Sequence, residues 1–245
     1  MEILKATADD KGIPEEYINK DYFVSLLLRN IAEESPNIVF KGGTSLSKCY
    51  GVINRFSEDI DLNLKVGSDA TNREKSDLKN GIIRAIQVSE MELMNLDEIG
   101  SRKNSNKYEV EYTTVQGTRD NLKPHLLVES YLTLKSFPFE RKVVNNYILE
   151  YLKKEDELSL IKQYDLDPFE INVQSIERTF IDKIFAICDY HERKQYTQNS
   201  RHLYDLHKIW ENYKFTDEPF INLFYSVALS VGNPISMYPL KLVIK

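Results

Sequence analysis

FKGGTSLSKCYGVINRFSEDIDLNL, residues 40–64, sets a glycine pair and a run of hydroxyls shortly ahead of two aspartates spaced two apart. The apolar residues 38–40 predict a short buried strand that ends on Gly42-Gly43. TSLSKCY begins polar and turns apolar, which predicts a helix opened by a hydroxyl cap. DIDLNLK alternates strictly and predicts a second strand. Residues i and i+2 of a strand share a face, so Asp59 and Asp61 project together while Ile60 and Leu62 enter the core. Two neighbouring carboxylates repel unless a cation lies between them or a pKa rises. Hard oxygen donors at this spacing suit Mg2+, which takes one or two carboxylates together with substrate phosphates.

The glycine pair complements this. Gly42 and Gly43 let the backbone approach a ligand closely, and a helix N-terminus directs free N–H groups at the same point. Thr44 and Ser45 add hydroxyl donors, so a phosphate is the natural guest. The spacing is not GxxxxGK[ST], so this is no P-loop. A lone glycine pair is usually just a turn, and a lone DxD usually a solvated strand end. Their adjacency at the ends of neighbouring buried strands favours a phosphate cradle beside a metal-binding carboxylate pair. That is the apparatus of two-metal phosphoryl or nucleotidyl transfer. Arg55 reads as a phosphate contact or a structural bridge, Ser57 as a cap on the turn, and Glu58 has no assigned role.

Composition bounds the rest. With 245 residues, 42% hydrophobic and 29% charged, the chain suits one large or two small globular domains. A net charge of -6 argues against a whole-surface grip on nucleic acid. A local basic groove stays open, with Lys103, Lys107, Arg193 and Lys194 as candidates. Cys49 and Cys188 form neither a disulfide framework nor a zinc cluster and read as reduced, buried thiols. The N-terminus lacks a signal-peptide pattern, and no apolar run approaches the ~18 residues that span a bilayer, so a cytoplasmic protein with no membrane partner is expected.

Pro14 followed by Glu15 and Glu16 predicts a helix start, with Ile18, Phe23, Leu26, Leu27 and Ile31 at helical spacing until residues 35–37 break it. A further helix is predicted over 75–95, and strands over 107–115 and 125–134. Residues 139–170 are mixed and charged and give no clear pattern; from Ser175 the chain reads as strongly helical. The expected fold is therefore α+β: a mixed sheet with flanking helices in a core over 1–135, then a mainly helical region over 136–245.

Residues 40–62 resemble the signature of the AbiEii/AbiGii-type nucleotidyltransferases of the polymerase-β-like superfamily. NKDYFVSLLL at 19–28 is also similar to that family, as is RHLYDLHKI at 201–209, where His202 stands in place of an acid. The resemblance implies a helical C-terminal region that completes the active site and NMP transfer from an NTP with Mg2+ (or Mn2+). It implies membership of a toxin–antitoxin or phage-defence (abortive infection) system, with a cognate antitoxin as partner. The acceptor, RNA such as tRNA or else protein, is left open. A non-catalytic nucleotide- or RNA-binding module and a kinase-like phosphotransferase are the competing readings.

Further site residues come from outside the stretch. Glu129 is the candidate third carboxylate, with Glu109 and Glu111 as rivals and cross-strand surface charge as the plain alternative. Lys183 falls within a helical stripe of Ile176, Phe180, Ile184 and Ile187, where a lysine must snorkel or meet an anion. The resemblance implies that it faces the triphosphate. Asp205 flanks an expected core face of Leu203, Leu206, Ile209 and Trp210 and can pair with Lys183 or Arg201. The resemblance makes Asp205 a site residue as well. His191, His202 and His207 show no metal-like clustering and read as exposed.

Overall fold

A computed structural model describes residues 2–114, 122–195 and 199–231. The chain divides into two compact units, Met1–Gln174 and Ser175–Lys245.

The first unit is a mixed sheet with helices. Its elements are α1 (Glu2–Lys11), α2 (Glu15–Glu34), β1 (Ile38–Lys41), α3 (Gly42–Lys48), β2 (Ile60–Leu64), α4 (Asn72–Val88), β3 (Glu92–Leu93), β4 (Ser105–Glu111), β5 (Leu126–Tyr131), β6 (Phe139–Val144), α5 (Tyr147–Lys154), α6 (Leu158–Gln163) and β7 (Phe169–Gln174). The described strands form one seven-stranded sheet in the order β3-β4-β5-β2-β1-β7-β6. β1 runs antiparallel to β2 and parallel to β7, and β2 runs parallel to β5.

The core follows from the two periodicities. α2 contributes Val24, Leu27, Leu28 and Ile31, and α4 contributes Leu78, Ile82, Ala85 and Ile86. They pack against Ile38, Phe40, Ile60, Leu62, Val110, Leu126, Val128, Ile171 and Val173, which alternate along the strands and so share one sheet face. Burying one such side chain contributes about 1.5–3 kcal/mol, which is what holds the strand register. A second cluster joins α1, α2, α5 and α6 through Ala8, Ile18, Ile148, Leu149, Leu152 and Ile161.

Three local expectations change. The helix expected over 75–95 is α4, which starts earlier because Thr71 and Glu74 form a reciprocal capping box, and which ends at Val88, with Glu92 and Leu93 in β3. The strand expectations shorten to β4 and β5; Val115 lies outside the described residues. Residues 139–170, which gave no pattern, supply β6, α5, α6 and the start of β7 to the sheet unit.

The second unit holds α7 (Ile176–Glu192), α8 (Asn199–Asn212) and α9 (Glu218–Val231). Ser175 caps α7 by accepting the Arg178 N–H. Ile181 and Phe185 of α7 pack on Phe224 and Val227 of α9. Phe180, Phe215, Phe220 and Trp210 add a chain of ring contacts. Among the described residues no helix is long and apolar enough to cross a membrane. Cys49 and Cys188 are free and half-buried rather than fully buried; burial pushes the Cys49 thiol up to about 12.

Candidate active site

β1 ends at Lys41, and the chain turns sharply at Gly42, whose φ is +79°, a conformation that side chains other than glycine rarely adopt. The antiparallel register sets Lys41 beside Asp61, so the turn and the carboxylate stand at the same end of neighbouring strands. A Cβ on Gly42 would lie 2.0 Å from Asp61 Oδ2. One on Gly43 would lie 2.7 Å from an Arg55 guanidinium nitrogen and 2.9 Å from Ser57 Oγ. Gly42 is held to glycine by its φ and by the Asp61 carboxylate, while at Gly43 the Arg55 guanidinium and the Ser57 hydroxyl lie against bare backbone.

The turn differs from its expected form. α3 begins at Gly42, not at Thr44, and Lys41 precedes it without a side-chain cap. Thr44 Oγ1 instead meets Ser57 Oγ at 2.9 Å, and Ser45 Oγ donates to the Gly42 carbonyl at 2.8 Å. The first contact ties the turn to the segment before β2, and the second closes the turn on itself. With seven residues, α3 offers a smaller dipole than a long helix does.

β2 begins at Ile60, so Asp59 lies one residue ahead of the strand and Asp61 within it. Ile60 and Leu62 are in the core as expected. Asp59 Oδ1 accepts from Lys123 Nζ at 2.6 Å. In the parallel β2–β5 pairing, Glu129 is the register partner of Asp61, and Lys107 is the partner of Glu129 on β4. Lys41, Asp61, Glu129 and Lys107 therefore make a row across four adjacent strands. Glu109 pairs with Leu127 and Glu111 with Glu92, so both rivals stand further along β4. Among the described residues, no three His, Cys, Asp or Glu side chains converge tightly enough to hold a metal as they stand. Of the expected basic-groove residues, Lys103 folds onto the Glu98 carbonyl at 2.8 Å.

In the second unit, Lys183 and Asp205 are both buried, and Lys183 Nζ donates to Asp205 Oδ2 at 2.6 Å. The expected stripe is corrected: Ile181 and Phe185 are buried, while Phe180, Ile184 and Ile187 are only half-buried. Lys183 is therefore no rim residue. On α8, Leu203 and Trp210 are exposed, and Asp205 and Ile209 point inward. Asp182 is half-buried and pairs with Arg178 at 2.8 Å. His191 and His207 are exposed, but His202 is half-buried, its ring 5.6 Å from that of Tyr190.

Several buried polar residues escaped the sequence reading. Lys48 Nζ bonds Asp21 Oδ1 at 2.6 Å and Ser25 Oγ at 2.7 Å, and Asp21 Oδ2 accepts the Tyr147 N–H at 2.9 Å. This network fastens the end of α3 to α2 and α5. Lys20, with no exposed surface, forms an ion pair with Glu58 at 2.5 Å. Burial lowers the Lys20 pKa, and Glu58 opposes that shift. The signal was present in the sequence: Lys20, Val24, Leu27 and Ile31 stand at i, i+4, i+7 and i+11, which puts a charge on the apolar stripe.

The chain matches, over residues 25–243, the family described as nucleotidyl transferase AbiEii toxin, type IV TA system. It belongs to the AbiEii nucleotidyltransferase toxin family. Among solved structures, MenT4, a nucleotidyltransferase toxin from Mycobacterium tuberculosis H37Rv, is similar in fold with a TM-score of 0.52. It is 18% identical, and the match covers 91% of this chain and 68% of that one. No curated protein matches the sequence. Membership of the AbiEii family indicates a nucleotidyltransferase toxin of a type IV toxin–antitoxin system, with an NTP as substrate and an antitoxin as partner.

Proposed function

We propose that this AbiEii-family chain transfers an NMP from an NTP to an acceptor hydroxyl, on RNA such as tRNA or on protein, with Mg2+ held at Asp59, Asp61 and Glu129. The observation that carries the reading is the press of Asp61 against Gly42, which leaves a glycine turn and a carboxylate with no side chain between them. The donor set is hard oxygen, with Glu129 beside Asp61 in the register, and it fits Mg2+ chemistry.

In this reading the bare backbone of Gly42 and Gly43 and the hydroxyls of Thr44 and Ser45 receive the triphosphate, and Arg55 adds positive charge beside Gly43. Lys183, held by Asp205, neutralises phosphate charge, a role that the family resemblance suggests. The acceptor hydroxyl loses its proton to solvent as its oxygen forms a bond to the α-phosphorus, the bond from that phosphorus to the α–β bridging oxygen breaks, and pyrophosphate leaves with the electron pair. The bound ion supplies charge stabilisation at the phosphoryl oxygens and the leaving group. To hold an ion Asp59 would release Lys123, and a 2.6 Å pair with side chains 40% and 33% exposed is weak enough for that.

Incubation with each labelled NTP, Mg2+ and lysate, followed by mass spectrometry, tests this. The expected product carries an added nucleoside monophosphate; a product carrying phosphate alone supports a phosphotransferase instead. Asp59→Ala and Asp61→Ala are expected to abolish transfer, and also growth inhibition on expression in bacteria, without unfolding the protein. Full activity in both variants sinks the metal assignment.

A further inference from the structure

The proposed reaction gives NKDYFVSLLL, residues 19–28, no part, but the structure does. Lys20 Nζ meets the Glu58 carboxylate at 2.5 Å, donates to the Lys123 carbonyl at 2.6 Å and to the His125 carbonyl at 3.1 Å, and lies 5.7 Å from the Tyr112 ring centroid. Its ammonium thus faces one carboxylate as an ion pair and donates to two carbonyls, none on its own helix. Glu58 directly precedes Asp59, and residues 123 and 125 directly precede β5. β2 and β5 are parallel, with Ile60 opposite Val128, so both tethered segments enter the sheet side by side. The side chains that they carry, Asp59 and Lys123, meet above the tether.

We propose that Lys20 is a positioning residue: it ties α2 to the entries of β2 and β5 and so fixes the backbone from which Asp59, Asp61 and Glu129 would reach a divalent cation. The proposal rests on the metal-dependent reading above. Burial alone explains Lys20 poorly. A buried ion pair is often no more stabilising than an apolar pair of the same volume, and its use is then to specify geometry. Residues behind ligands typically change metal affinity by about 10- to 100-fold when removed.

The test compares wild type, Lys20→Met, Lys20→Met/Glu58→Gln and Asp59→Ala. Thermal unfolding reports the fold, and electron paramagnetic resonance of free Mn2+ reports binding in the presence of a non-hydrolysable NTP. Lys20→Met strands a buried carboxylate and is expected to lower Tm; the double variant removes that charge and recovers most of it. In both, Mn2+ affinity is expected to fall about 10-fold or more, with the transfer rate restored toward wild type at saturating Mn2+. A folded double variant that binds Mn2+ as tightly as wild type overturns the proposal. So does a double variant that cannot fold, which would make Lys20 a residue of the fold alone. Wild type that binds no Mn2+ overturns the metal reading itself, and this proposal with it.

Discussion

At Gly42 a hydrogen atom stands where any other residue would place carbon against a carboxylate. Gly42→Ala meets two obstacles. A non-glycine residue in this left-handed conformation costs about 1–2 kcal/mol, and its methyl carbon would occupy the place of Asp61 Oδ2. The variant is expected to fold with lowered stability and to lose transfer by roughly 100-fold, because a displacement of about 1 Å at a reacting centre costs that much. Labelled-NTP turnover beside urea unfolding checks both halves; full turnover would mean that Asp61 need not touch the turn. The residue pairs of the site were partly legible in sequence. Strand alternation put Ile60 and Leu62 inside, and hence Asp61 on the opposite face. The partners of Asp59 and Thr44 were not legible, because Lys123 and Ser57 reach them across non-local contacts that no local period encodes.

Among the elements, α2 has two roles. Its apolar stripe holds the sheet, while Asp21 and Ser25 fix Lys48 at the end of α3. Asp21→Asn weakens a buried pair and leaves Lys48 without its counter-charge, an expected loss of about 3 kcal/mol in urea unfolding. At α4, the Glu74 carboxylate accepts the Thr71 N–H at 2.8 Å, and this holds its pKa below the ordinary range. A depressed carboxylate pKa contributes stability above the unfolded value that is lost as pH falls through the folded one. The stability gap between wild type and Glu74→Gln should therefore narrow on acidification below about pH 4; a gap that widens contradicts the cap. Elements with strong periods, α2 and β2 above all, were legible. β6 was not: at the sheet edge it carries Glu140, Arg141 and Lys142 in succession. Such charge deters edge pairing with other chains and erases the apolar alternation by which strands are recognised.

For the whole molecule, the α+β class was legible because helical and strand periods both occur before residue 135, and the helical C-terminal region because the helical period alone follows Ser175. The helical unit carries its own test. Lys183→Met removes a charge partner of the buried Asp205, and Asp205→Asn removes one of the buried Lys183; each is expected to cost about 3 kcal/mol. The double variant should regain stability in urea unfolding but not transfer. Recovery of both would reduce the pair to scaffolding.

The strand order carries one more consequence. β1 lies in the interior of the sheet, yet it pairs on one side with β7, and Phe40 and its partner Val173 are 133 positions apart in the chain. Closing so long a loop costs entropy that later contacts must repay, which slows folding. On the ribosome, β1 emerges early and keeps an open edge until almost all of the first unit has been made. For a chain of a toxin family, activity then arrives late in biosynthesis, as a property of the finished polypeptide and not of its nascent fragments.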